Sequence, residues 1–266
     1  MKNKILVVLY VICGISIISL IITIIINIRK LNINSEQVQK TYSIIKSYDL
    51  ANCNGMPFYN ENKLSYETLE MSKKLCLAYN NISNDNIAEK SIKKHKSSTY
   101  CLINNQEKIT LSDDNSCSVE VISLKDLDNY YYELFGQNIG EGEKESFVVN
   151  SKKTCYYDSN NREYVCANPL SHNLEVGWNP SYYQMIYKAV KSANTIKIYD
   201  YFLLVNNRSV YTENDGKNYN IEATDKYNDS GLIVDKAFLK KYGQRYEHIF
   251  KKDANGNYYW FSSKPI

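Results

Sequence analysis

The chain has 266 residues and a formal net charge of +3, and its ordinary 44% of apolar residues argues against an intrinsically disordered polypeptide. That charge is lopsided: Lys2, Lys4, Arg29 and Lys30 fall in the first thirty residues, which hold no acid, and subtracting those four from 32 leaves 28 basic against 29 acidic residues. A remainder near −1 lacks the Lys/Arg surplus that displaces counterions from phosphates, so no nucleic-acid partner is expected.

The N-terminus carries the strongest signal. Residues 1–4 form a short basic tail, and Ile5 to Ile26 then run without a charge. At 1.5 Å per residue, about 22 residues reach roughly 33 Å, enough to cross a hydrocarbon core of about 30 Å. Residues 5–28 are therefore predicted to be a transmembrane helix with the lipid bilayer as partner. The run ends Ile-Ile-Asn-Ile-Arg-Lys, with no small-x-small cleavage site, so it reads as an uncleaved signal anchor. Cys13 is preceded by Ile12, where lipid attachment wants a small residue, and reads as a small apolar residue within the membrane. The few charges flanking the run nearly balance under the positive-inside rule. The cysteines described below decide the orientation.

Residues 29–122 form the first part of the predicted ectodomain. Asn34 to Tyr48 read as a helix, with Asn34 and Gln37 as a capping box and Val38, Tyr42 and Ile45 at helical spacing. Residues 49–63 are turn-rich. Ser65 is placed to cap a second helix bearing Leu69, Leu75, Cys76 and Leu77. The polar, lysine-rich residues 82–98 read as a solvated helix or loop, and 99–122 alternate as a small antiparallel meander.

Residues 123–266 form the second part. Ser123 opens a helix with Leu124, Leu127, Tyr131 and Leu134 on one face, and Gly136 stands at its stop. Its tyrosine cluster, DNYYYELFG, reads as a core-facing stripe. After the loop NIGEGEKE comes FVVN and then KTCYYDSNNREYVCANP. A two-residue Asn160–Asn161 turn there would set Tyr157 opposite Tyr164 and Cys155 opposite Cys166. YYQMIYKAV and TIKIYDYFLLV read as long antiparallel strands, with shorter ones at Val210 and Tyr219–Ile221. DKAFLKKYG reads as a short helix capped by Asp235 and stopped by Gly243. A closing hairpin turns at Asp253–Gly256; DANGN there lacks the later ligands of a calcium loop, and an Asn-Gly turn explains it. The sum is an α+β ectodomain of helices packed on a curved antiparallel sheet.

Six cysteines follow the anchor. Six cysteines permit fifteen pairings; opposed residues of an antiparallel pair are close enough for a disulfide, which pairs Cys155 with Cys166, while Cys101 and Cys117 are placed to clip the meander and Cys53 and Cys76 to tie the 49–63 loop to the helix after it. Closely spaced C-x-x-C pairs, which zinc or a thioredoxin-type site would use, are absent from the sequence. Disulfides persist outside the cytoplasm, which places the N-terminus inside, at a cell membrane crossed once, and the C-terminal domain extracytoplasmic.

KYGQRYEHIFKKDANGNYYWFSSKPI, IYDYF and SLKDLDNYYYELFG resemble segments of uncharacterised membrane-anchored envelope proteins of low-GC Gram-positive and mollicute-like gut bacteria. The resemblance covers much of residues 120–266 and implies an envelope location, with no activity attached. The closing strand pair is also similar to nuclear-transport-factor-like curved sheets, a likeness of fold alone.

No catalytic motif frames the three histidines, His95, His172 and His248, so no catalytic residue, cofactor or metal is assigned and an enzyme is not expected. A type IV pilin-like subunit would need a cleavage site and an early glutamate that the sequence lacks. The expected function is a binding or structural module whose partner is a cell-wall polymer or an envelope protein. Trp178, Tyr182, Tyr183 and Trp260 are the candidate binding aromatics, because sugars and peptides stack on such rings; filling the sheet core is their other use. The alternative function is a cell-envelope hydrolase with an unrecognised site.

Overall fold

The computed structural model describes residues 29–46, 53, 58–59, 62–95, 98, 100–103, 107–110, 116–149, 153–167, 181–206, 209–211, 218–220, 227–228 and 231–266. The Ile5–Ile26 run, Trp178 and His172 lie outside them. Among the described residues no helix is long and apolar enough to cross a membrane. The fold is α+β, with helices packed on antiparallel sheets.

The chain opens with β1 (Arg29–Lys30) and α1 (Glu36–Lys46). The helix begins later than an Asn34–Gln37 capping box predicts. Asn34 donates its amide to Asn32 Oδ1 at 3.0 Å, an Asx turn that holds it outside the helix, and the Ser35 hydroxyl accepts from the Val38 amide at 3.4 Å instead. Val38, Tyr42 and Ile45 are buried as their spacing requires. β2 (Leu64–Ser65) precedes α2 (Met71–Asn80). Ser65 does not cap α2; its amide donates to Thr68 Oγ1 at 2.9 Å and it pairs with Ser262 in a sheet. Leu69, predicted to lie in that helix, falls ahead of it.

The lysine-rich stretch is no helix but a 3₁₀ turn and β3 (Ala88–Lys93). This strand lies at a sheet edge, so its side chains stay almost wholly exposed and leave no apolar alternation to read. β4 (Tyr100–Ile103) and β5 (Glu107–Thr110) form a hairpin, while β6 (Ser116–Ser123) leaves it to pair with β3. The predicted meander is thereby split between two sheets.

Ser123 caps α3 (Leu124–Phe135), accepting from the Asp126 amide at 3.0 Å. Gly136, at φ +70°, closes it by donating its amide to the Tyr132 carbonyl. β7 (Phe147–Val149), β8 (Lys153–Asp158) and β9 (Glu163–Ala167) follow. Cys155 faces Cys166 and Tyr157 faces Tyr164, but the turn is a four-residue loop, not an Asn-Asn pair. The Asp158 carboxylate accepts from the Asn160 amide and the Asn161 side chain, and Arg162 takes the left-handed conformation at φ +53°. Both turns are centred on the same two residues, which is why the register is unchanged.

The second half contributes β10 (Ser181–Lys191), β11 (Thr195–Asn206), β12 (Ser209–Tyr211), β13 (Asn218–Asn220), β14 (Tyr227–Asn228) and β15 (Gly231–Leu232). α4 (Lys236–Tyr242) is capped by Asp235, which accepts from the Phe238 amide at 2.7 Å. β16 (Gln244–Lys252) and β17 (Tyr258–Pro265) close the chain.

The large sheet runs β1-β10-β11-β16-β17-β2, with β12 and β13 continuing from β11. The small sheet runs β3-β6-β9-β8-β7. The main core lies among α1, α2, α3 and the facing sides of both sheets, joining Val38, Leu75, Leu127, Tyr164, Ile198 and Trp260 in one cluster. The β4–β5 hairpin covers the other side of the small sheet, packing Ile103 and Ile109 on Val119, Val121 and Val165. α4 covers part of the other side of the large sheet with Phe238 and Leu239 on Leu203 and Val205. Residues 29–122 and 123–266 thus share a core, and β6 and β9 pair across that division.

Three disulfides cross-link this arrangement, Cys53–Cys76, Cys101–Cys117 and Cys155–Cys166, with Cα separations of 5.7, 6.1 and 4.0 Å. They tie residue 53 to α2, the β4–β5 hairpin to β6, and β8 to β9. These are the three pairs expected from the hairpin register and from the placement of the neighbouring elements.

Candidate functional site

On β11 every second residue points inward: Ile196, Ile198, Asp200, Phe202 and Leu204 are all buried. A carboxylate in that row must be hydrogen-bonded to be tolerated, and Tyr42, Tyr59 and His248 supply the partners. From α1, Tyr42 donates its hydroxyl to Asp200 Oδ2 in a short hydrogen bond. Tyr59 donates to the same oxygen at 2.7 Å. His248 on β16 puts Nε2 3.1 Å from Oδ1. On β17, Ser263 Oγ lies 2.6 Å from His248 Nδ1 and accepts from Trp260 Nε1 at 2.8 Å.

One donor–acceptor arrangement satisfies every group. Trp260 donates to Ser263, Ser263 to His248 Nδ1, and His248 Nε2–H to Asp200, which also accepts from both phenols. Burial and the Asp200 charge hold the Tyr42 phenol well above the ordinary tyrosine range, and do the same to Tyr59.

Asp, His and Ser in contact carry the residue types of a hydrolase triad, but the geometry here serves another use. The serine sits on Nδ1 and the carboxylate on Nε2, and Ser263 Oγ is held from both sides. His248 and Asp200 are 0% exposed and Ser263 is 2% exposed, so this network presents no reacting atom to a substrate. It bolts α1 and Tyr59 to three strands of the large sheet.

Trp260, a candidate binding aromatic from sequence, is corrected by the same geometry. It is fully buried, edge-on to Phe58 at 5.0 Å and to Phe135 at 6.1 Å, because it lies opposite Phe250 on the inward row. Tyr182 is half-buried on that inner side beside Phe202. Tyr183 faces the other way and packs in the cluster under α4. Trp178 lies outside the described residues. The structure therefore does not gather Tyr182, Tyr183 and Trp260 into one site.

The outer side of the large sheet carries a different group, which the sequence reading did not single out. Beyond the edge of α4, Tyr187 stacks obliquely against Tyr201 at 4.7 Å and lies 6.2 Å from Tyr199. All three rings are half-buried. Lys188 holds its ammonium 4.7 Å from the Tyr199 ring centre. Tyr199 donates to Glu247 Oε2 at 2.8 Å, and Lys197 and Lys264 each approach that carboxylate to 3.4 Å. Burial pushes the Glu247 carboxyl up, but the Tyr199 hydroxyl and the two lysines outweigh it and leave it below the usual range. Burial raises the Tyr187 phenol, partly offset by the Arg245 charge. A shallow cavity of about 390 Å³ adjoins the strip, lined by Tyr201, Lys240 and Arg245 among others. The signal for this strip was the odd-numbered row Tyr199, Tyr201 on β11 with Tyr187 on β10, legible only once the inward row is known.

Of the histidines, His95 stacks on Tyr100 at 6.4 Å and His172 lies outside the described residues. Among the described residues no three His, Cys, Asp or Glu side chains are grouped to hold a metal. Asp253, in the DANGN turn, accepts from the Asn257 amide at 2.7 Å, and Gly256 takes φ +93°. No protein-family model, no curated protein and no solved structure matches the chain.

Proposed function

We propose that this chain is a membrane-anchored extracytoplasmic binding or structural module, and that its ligand meets the tyrosine strip on the outer side of the large sheet. The observation that carries the reading is the cluster Tyr187–Tyr199–Tyr201, left half-exposed where α4 ends and fixed in place by Glu247 and its lysines. Rigid aromatic rings with polar tips give stacking area to sugars and peptides at little entropic cost. The uncharged Ile5–Ile26 run supports the anchor, and three disulfides support an oxidising compartment. Tethering raises local concentration, so modest affinity for a cell-wall polymer or an envelope protein suffices.

Full-length protein in native envelopes tests this. It should crosslink to wall material or a neighbouring envelope protein, and replacing Tyr199 and Tyr201 together by alanine should lower the crosslinked fraction roughly tenfold, equivalent to about 1.4 kcal/mol, with the circular dichroism unchanged. An unaltered crosslinked fraction in that variant removes the strip from the reading. Release of new reducing ends or amino groups from purified wall would promote the hydrolase alternative.

A further inference from the structure

The large sheet has one end where its chain reversals cluster. β10 turns into β11 through residues 192–194, and β16 turns into β17 through 253–257, with the Lys252 amide donating to the Asn194 carbonyl at 2.9 Å between the two turns. β1 begins at this same end: Arg29 pairs with Lys191, the last residue of β10, and Lys30 with Val190. The described chain therefore starts beside the turns and runs away from them.

Basic side chains collect there. Arg29, Lys30 and Lys252 are exposed, and Lys191 and Lys251 are half-buried. Lys191 reaches Gln37 Oε1 at 3.4 Å and lies 5.9 Å from the Tyr258 ring centre; Lys251 lies over Phe261 at 3.1 Å. None of the five forms a salt bridge with a described acid. Among the described residues the nearby acids are Asp253, which holds the Asn257 amide, Glu36 beside Gln37, and Glu67, whose carboxyl feels the Lys251 charge. Among the described residues, these five cations against three acids leave a positive rim.

Only Asn27 and Ile28 separate Arg29 from the apolar run that ends at Ile26. Three backbone steps cover at most roughly 11 Å, close to the ~8–10 Å over which charges act in physiological salt. We infer that this turn-end rim, Arg29, Lys30, Lys191, Lys251 and Lys252, rests on the anionic phospholipid headgroups of the bilayer that holds the chain. Cations beside a membrane anchor are the chemistry of interfacial contact. The inference rests on the reading of Ile5–Ile26 as a membrane span. It adds an orientation: the turns face the lipid, and the opposite end of the large sheet points away from it.

The test uses the full chain mixed with vesicles of phosphatidylcholine alone or phosphatidylcholine with phosphatidylglycerol. Flotation comes first; a chain that floats with neither vesicle refutes the anchor itself. With the chain incorporated in both, amide hydrogen exchange over 191–195 and 251–258 should be several-fold slower in the anionic vesicles. That difference should vanish in about 0.5 M salt and in Lys191→Gln/Lys252→Gln, whose exchange elsewhere reports an intact fold. Equal exchange in the two vesicle types overturns the rim contact while leaving the anchor standing. Equal protection by inorganic phosphate in neutral vesicles also overturns it, by showing a general anion site.

Discussion

Asp200 shows how one residue can be legible while its role is not. In TIKIYDYFLLV the inward row reads Ile, Ile, Asp, Phe, Leu, so a carboxylate is announced at a core position by alternation alone. Its partners are not announced, since Tyr59 and Tyr42 lie 141 and 158 residues away in sequence and only packing brings them there. Two substitutions separate charge from hydrogen bonding. Asp200→Asn keeps the shape but turns an acceptor-only group into one with donors, facing three donors already in place. It should lower stability by about 3 kcal/mol in urea unfolding, within the range for breaking a buried charged network. Tyr59→Phe removes one of the two phenols from Oδ2 and should cost about 1–2 kcal/mol. Equal, small effects from both would show that Asp200 is not the hub. Ser263 and Trp260 carry the same lesson: a tryptophan that sequence offers as a ligand platform is used for its indole N–H in the core.

At the scale of single elements, the readable features are those set by near neighbours. Ser123 and Gly136 delimit α3, and Asp235 caps α4, because caps and left-handed stops are chosen within one turn of chain. β3 escaped because an exposed edge strand has no buried face to imprint a pattern, and the α1 start moved because an Asx turn outcompeted the capping box. Gly136 permits a sharp test. A Cβ there would lie 2.5 Å from the Tyr259 ring, and the backbone is at φ +70°, so Gly136→Ala carries both a conformational and a steric penalty. It should destabilise by about 1–3 kcal/mol; a neutral result would mean α3 ends differently. The Cys155–Cys166 link closes a separation of 11 residues and Cys53–Cys76 one of 23. The logarithmic dependence on loop length gives roughly 3 kcal/mol for either. Paired Cys→Ala variants should therefore lose comparable stability, and a loss confined to the longer loop would point to strain or residual structure in place of chain entropy.

Over the whole molecule, tyrosine recurs at the joints between layers. Tyr42 and Tyr59 join α1 to the large sheet, Tyr131 bonds Tyr66 at 2.8 Å beside α3, Tyr79 on α2 donates to Glu120 of β6 at 2.5 Å, and Tyr164 lies on the helix-facing side of the small sheet. Which layers meet was not legible, because these joints link elements that share no local pattern. Their chemistry nonetheless makes a prediction for the assembled fold. Burial pushes each of these phenols above its ordinary value, helped at Tyr42 and Tyr59 by Asp200 and at Tyr79 by Glu120. A group whose folded pKa is raised holds its proton longer folded than unfolded, so its contribution is complete below the unfolded value of about 10 and falls as pH climbs beyond it. Unfolding free energy from these tyrosines should thus be level through neutral pH and decline above about pH 10. Because they sit at joints of one shared core, loss of circular dichroism and the appearance of the buried tyrosinate absorbance should coincide in a single alkaline transition. The exposed members of the 25 tyrosines should ionise ahead of it without structural change. Smooth ionisation of all of them near pH 10 with the secondary structure intact would show that the phenols are not sealed between the layers.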